Sequence, residues 1–248
     1  MLQKSYENVH AIKGVIFDLD GVITDTARFH YEAWKVLADE LNIPFDKEYN
    51  ENLKGVSRME SLELLLKNGN MQDKFTPDEK LALATKKNEL YKQLIKKLTP
   101  KDVLPGILEF IKELKNHNIK TAVASVSHNA DFILDRLQVK CYFDYICDPA
   151  LISKHKPDPE IFLVAAKGLG LEPTNCIGIE DAEAGIKAIN AANMFSVGVG
   201  TSSQMREAKL YLPNTSRLRL STIADVANMS FLKVCIKFKK DRDLLWKL

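Results

Sequence analysis

Apolar residues recur along this chain in two rhythms, and the change between them divides it. Val15, Ile16 and Phe17 form a short continuous apolar run, as in a strand covered on both faces. Over residues 27–41 the apolar positions (Phe29, Trp34, Leu37, Ala38, Leu41) fall at helical spacing, and Asn42-Ile43-Pro44 stops that helix. A second helical pattern covers residues 59–66, and Asn68-Gly69-Asn70 reads as a turn. Pro77 opens a long helix to about residue 98, with Leu81, Leu83, Leu90, Leu94 and Ile95 expected on its buried face. No convincing strand falls between residues 28 and 97.

From Val103 onward strands and helices alternate. Helices are expected at 105–114, 129–137, 159–169 and 182–192, with strands at 119–125, 145–147, 176–179 and 195–199. That alternation predicts an α/β fold: a doubly wound, Rossmann-like parallel sheet built from residues 1–27 and 98–248. Residues 28–97 then form an inserted all-α helical cap. Residues 231–248 make a basic tail, in which Lys233, Lys237, Lys239, Lys240, Arg242 and Lys247 outnumber Asp241 and Asp243. It is read as a packed terminal element with a solvated basic face.

Composition narrows the class without naming a chemistry. With 46% hydrophobic and 27% charged residues among 248, the chain is of the globular kind. A formal net charge of +2 supplies no basic field for nucleic acid. The four cysteines, Cys141, Cys147, Cys176 and Cys235, show no metal-finger spacing, and the expectation is reduced thiols in the core of a cytoplasmic protein. Residues 1–10 lack the apolar core of a signal peptide, and no stretch is long enough to span a bilayer. No membrane partner and no nucleic acid are expected, and a monomer is.

The chemistry begins where the first strand ends. Asp18 and Asp20 leave it on the same side, because alternate strand residues share a face. Two such carboxylates repel each other and call for a cation. In parallel sheets, ligands bind beyond the carboxyl ends of strands, which is where this pair falls. Phe17-Asp18-Leu19-Asp20-Gly21-Val22-Ile23-Thr24-Asp25-Thr26 resembles the first motif of the haloacid dehalogenase-like superfamily of phosphotransferases. The resemblance implies that Asp18 is the nucleophile and Asp20 the general acid/base. It also implies that Asp20 helps hold Mg²⁺ through its backbone carbonyl.

Three further motifs are then expected, and each has a candidate. Ser125 ends an apolar strand just before a helix, where anions bind readily. It resembles the phosphate-binding hydroxyl of the superfamily, with Ser127 and Asn129 matching further phosphate-side positions. His128 stands where a Lys is expected and is given no role. Lys154-His155-Lys156-Pro157-Asp158-Pro159 contains the superfamily's Lys-Pro-x-Pro, which selects Lys156 over Lys154. Its charge would let Asp18 approach a dianionic phosphate. Glu180 and Asp181 follow a fourth apolar strand and offer the hard oxygens Mg²⁺ prefers, so the expected metal set is Asp18, Asp20, Glu180 and Asp181. Ala182 departs from the Ser expected beside them.

Within the insertion, Thr24 to His30, Ala33-Trp34, Leu53 to Arg58 and Lys87-Asn88 resemble the sugar phosphomutase branch of that superfamily. The resemblance implies that Arg58 clamps the distal phosphate of a sugar bisphosphate and that Lys54 and Gly55 lie beside the sugar. Thr26 and His30 would support the hinge side, and Lys87 would contribute from the cap. The implied reaction interconverts β-D-glucose 1-phosphate and glucose 6-phosphate, with β-glucose 1,6-bisphosphate as activator and intermediate. The partners are therefore small sugar phosphates. A sugar-phosphate phosphatase on the same core is the alternative. A phosphonate hydrolase would need a Schiff-base lysine in the cap, and a non-catalytic binding module would need a degraded site.

Overall fold

The computed structural model describes residues 12–53, 57–201 and 203–227. The described residues open with β1 (Gly14–Phe17), whose four residues are all buried. Four helices follow first: α1 (Ala27–Glu40), α2 (Lys47–Asn50), α3 (Arg58–Asn68) and α4 (Pro77–Ile95). The rest alternates: α5 (Ile107–Asn116), β2 (Lys120–Val123), α6 (Ala130–Arg136), β3 (Tyr145–Ile146), α7 (Glu160–Leu169), β4 (Cys176–Glu180), α8 (Glu183–Ala191), β5 (Phe195–Val199) and β6 (Leu210–Leu212).

The six strands form one sheet in the order β3-β2-β1-β4-β5-β6, with every pairing parallel. Strand order reverses direction between β1 and β4, which makes the crevice at their carboxyl ends the ligand-binding position for such a sheet. Side-chain alternation feeds two apolar layers. Val15, Phe17, Val123, Ile177 and Ile179 join Phe110, Ile111 and Leu114 of α5 on one face. Ile16, Ala122 and Ala124 join Ile161, Phe162 and Ala165 of α7, and Ile186 and Ile189 of α8, on the other. Phe17 anchors the first layer, edge-on to Phe110 and Phe143 with ring centroids 6.0 and 5.9 Å away.

Helices α1, α3 and α4 carry an apolar cluster of their own, including Trp34, Leu37, Leu62, Leu65 and Leu66. Their roots are shared with the sheet, because Phe29, Ala33, Tyr91 and Ile95 pack into the layer that holds Phe17.

Four expectations change. On α4, Ile95 is buried as expected and Leu83, Leu90 and Leu94 pack partly buried against the core, but Leu81 is 58% exposed and the buried stripe is completed by Ala84, Lys87 and Tyr91, so that a lysine and a tyrosine face inward. That helix ends at Ile95, and α5 begins at Ile107, two residues after Pro105. The edge strand β6 was not expected, since its three residues lack a continuous apolar pattern. Of the cysteines, Cys147 and Cys176 are buried and free, but Cys141 is exposed. Cys235 and the basic tail lie outside the described residues.

Candidate active site

Main-chain bonds set three strand ends level. Asp18 N–H donates to the Ile179 carbonyl at 3.0 Å, and Ala124 N–H donates to the Phe17 carbonyl at 2.8 Å. Asp18, Ser125 and Glu180 thereby emerge side by side from β1, β2 and β4. Lys156 reaches them from the loop before α7. Its Nζ lies 2.6 Å from Asp18 Oδ1, 3.3 Å from Glu180 Oε1 and 3.5 Å from the Ala124 carbonyl. Burial works against its charge, but Asp18 and Glu180 outweigh burial and hold the lysine pKa above its ordinary value.

Asp18, Glu180 and Asp181 each offer an oxygen, and these oxygens lie within 4.8 Å of one another. Burial raises the Glu180 pKa, and Asp18 raises it further. Asp181 is pushed up to about 7 by burial, with Asp18 and Asp20 adding to the effect. One ammonium does not neutralise this group, and a compact set of hard oxygens fits Mg²⁺. The Asp20 carboxylate is not a member of the trio.

Two glycines make room for it. A Cβ on Gly21, where φ is +78°, would fall 2.0 Å from Asp181 Oδ2; a Cβ on Gly185 in α8 would fall 1.8 Å from Glu180 Oε1. Gly21 thus lets the loop after Asp20 close over Asp181, and Gly185 leaves space for the glutamate side chain.

Asp20 turns the other way, towards the insertion. It accepts a short hydrogen bond from the Thr26 hydroxyl, and the Thr26 backbone also bonds to it. Thr26 sits at the N-cap of α1, yet its side chain makes no capping bond. That forgoes about 1 kcal/mol of helix stability and leaves the hydroxyl for Asp20. Burial lifts the Asp20 pKa from 3.8 to about 6; Thr26 restrains the rise and Asp18 adds to it.

Beyond Thr26 lies a cluster from α1 and α4. Lys87 Nζ is 2.8 Å from His30 Nδ1 and sits over the rings of Trp34 and Tyr91, at 4.6 and 5.1 Å. Lys87 is only 3% exposed. Burial lowers its pKa to about 7, Arg58 lowers it further, and Asp20 opposes. Burial, then Lys87 and Arg58, hold His30 well below its ordinary value, so its ring is neutral at pH 7. Arg58 opens α3, whose N-cap Ser57 accepts from Glu60 N–H. Lys54 and Gly55 lie outside the described residues.

On the sheet side, Ser125 is buried and accepts from Ser127 N–H at 3.2 Å, and Ser127 Oγ accepts from Asn129 N–H at 3.2 Å. These bonds curl the loop between β2 and α6, and His128 within it is exposed. Ala182 is the N-cap of α8 and supplies no side-chain bond. Sequence reasoning gave no role to Tyr91, which packs tilted against His30 with centroids 4.0 Å apart, nor to Gly185. An inward tyrosine four residues after an inward lysine is the signal that α4 carried.

The haloacid dehalogenase-like hydrolase family matches residues 12–193, and the chain belongs to that family. It is 52% identical over 212 residues to a β-phosphoglucomutase of Bacillus subtilis, covering 86% of this chain and 94% of that one. It is similar to the crystal structure of a β-phosphoglucomutase from Clostridium difficile, with a TM-score of 0.85 and 48% identity over 89% of this chain and 99% of the other. A phosphorylated carbohydrates phosphatase of Thermotoga maritima is 28% identical over 185 residues, 74% of this chain and 82% of its own.

Proposed function

We propose that this protein catalyses the β-phosphoglucomutase reaction, interconverting β-D-glucose 1-phosphate and glucose 6-phosphate through β-glucose 1,6-bisphosphate. The 52% identity to the Bacillus subtilis mutase supports the reading, against 28% to the phosphatase. The observation that carries it is the grouping of Arg58, Lys87 and His30 on the insertion, with Lys87 within electrostatic reach of both Arg58 and Asp20. A phosphatase needs one phosphate site. A mutase acting through a bisphosphate needs two, and Arg58, with Lys87 beside it, supplies cationic charge for the second.

Asp18 attacks phosphorus and forms an aspartyl phosphate, while the bond to the leaving sugar oxygen breaks. Lys156 holds Asp18 in place and reduces its repulsion from the incoming dianion, and Ser125, Ser127 and Asn129 line the phosphate side. Asp20 gives its proton to the leaving oxygen, then takes one from the sugar hydroxyl that attacks next. A pKa of about 6 suits a group that must do both near neutrality. Asp18, Glu180, Asp181 and the Asp20 carbonyl would hold Mg²⁺, which supplies charge neutralisation to the phosphoryl oxygens when bound. Arg58 binds the distal phosphate, Lys87 contributes from the cap, and the family resemblance assigns Lys54 and Gly55 to the sugar side. Thr26 and His30 keep Asp20 and Lys87 aimed. The insertion, residues 28–97, acts as a cap whose closure excludes water.

The enzyme works as a cytoplasmic monomer in this reading; among the described residues no helix is long and apolar enough to cross a membrane. The test supplies each anomer of glucose 1-phosphate with Mg²⁺ and a trace of the bisphosphate. Glucose 6-phosphate should form from the β anomer alone and vanish with Asp20→Ala. Formation from neither anomer overturns the reading.

A further inference from the structure

Tyr91 is a buried phenol that the mechanism leaves unused. It lies on α4, is 1% exposed, and its hydroxyl donates to Thr26 Oγ1 at 3.2 Å across 65 residues of sequence. Thr26 in turn donates to Asp20 Oδ1. A threonine hydroxyl has one proton and two lone pairs. With Tyr91 donating into a lone pair, the Thr26 proton remains for Asp20, and the two bonds polarise each other. Contact with the tilted His30 ring, centroids 4.0 Å apart and planes 30° from parallel, fixes the phenol so that its hydroxyl does not swing away.

We propose that Tyr91 is a positioning residue for the reaction, its hydroxyl acting through Thr26 to hold the Asp20 carboxyl in its proton-transfer orientation. The inference rests on the role given to Asp20 above. Burial, with Asp20 adding, raises the phenol pKa, so Tyr91 stays a donor wherever the enzyme works. A merely structural reading, in which Thr26 only satisfies a buried hydroxyl, leaves one feature unexplained. The Thr26 hydroxyl makes no capping bond to α1 and stands instead between Tyr91 and Asp20.

Tyr91→Phe keeps the ring and its packing on His30 and removes only the donor. Compared with Thr26→Val and the double variant, it separates the two readings. Tyr91→Phe should lower kcat about tenfold, a fraction of what acid–base catalysis contributes, with KM for β-glucose 1-phosphate changed less than about twofold. The double variant should be no slower than Thr26→Val, because Tyr91 acts only through that hydroxyl. Multiplying effects, or an unchanged kcat with a lower Tm, overturn the proposal. If the wild-type protein hydrolyses sugar phosphate instead of isomerising it, the proposed function falls. The same three variants compared on hydrolysis then decide the role of Tyr91.

Discussion

Lys156 and Asp18 form a nearly buried ion pair at 2.6 Å, their side chains 16% and 13% exposed, and Glu180 shares the same ammonium at 3.3 Å. Breaking such a pair from one side leaves the other charges uncompensated. Lys156→Met should therefore destabilise the metal-free protein by about 3–5 kcal/mol at pH 8 in urea unfolding. The loss should shrink at pH 5, where Asp181, with its pKa near 7, takes up a proton. An equal loss at both pH values would show that the carboxylates do not depend on this lysine.

The oxygens of Asp18, Glu180 and Asp181 are grouped within 4.8 Å before any cation arrives. Mg²⁺ that binds only the folded chain adds about 2.7 kcal/mol at a hundred times its Kd. Melting curves should shift upward by roughly 5–10 °C with saturating Mg²⁺. Asp181→Asn should abolish most of that shift. A full shift in the variant would remove Asp181 from the metal set.

Asp20 holds its proton more tightly in the folded protein, with a pKa of about 6 against 3.8. Its contribution to stability is present below pH 3.8 and is lost as pH rises to about 6. Above that, the buried carboxylate costs up to about 3 kcal/mol. In metal-free buffer, Asp20→Asn should match the wild type near pH 4 and melt higher at pH 8. A variant that melts lower at pH 8 would mean that the ionised carboxylate is stabilised where it sits.

Ala182 has the extended backbone of an N-cap, with φ −117° and ψ 145°, but no oxygen to offer α8. Ala182→Ser should raise stability by about 1 kcal/mol through a bond to an unpaired N–H of the first turn. Thermal unfolding checks it. An unchanged Tm would show that those N–H groups already have partners.

The sheet was legible because its central strands are apolar runs that stop abruptly at polar residues. Val15 to Phe17 ends at Asp18, and Ile177 to Ile179 ends at Glu180. Those abrupt ends also marked half of the site. The short edge strand Leu210–Leu212 was missed because it has too few residues to establish a rhythm. Leu81 of α4 departs from expectation for a more informative reason. Counting leucines placed Leu81 inside, whereas the fold buries Lys87 and Tyr91, whose partners His30 and Thr26 lie 57 and 65 residues away. Hydropathy does not foresee the burial of a lysine, because its stabilising contacts with Trp34, Tyr91 and His30 exist only in three dimensions.

The most direct measurement follows glucose 6-phosphate and inorganic phosphate together in one reaction containing β-glucose 1-phosphate, Mg²⁺ and a trace of β-glucose 1,6-bisphosphate. Isomerisation should outrun phosphate release by at least about a hundredfold, since positioning and exclusion of water favour the sugar hydroxyl as acceptor. Arg58→Ala should narrow that ratio by weakening the second phosphate site. Phosphate release that keeps pace with or exceeds isomerisation in the wild-type protein would make it a sugar-phosphate phosphatase.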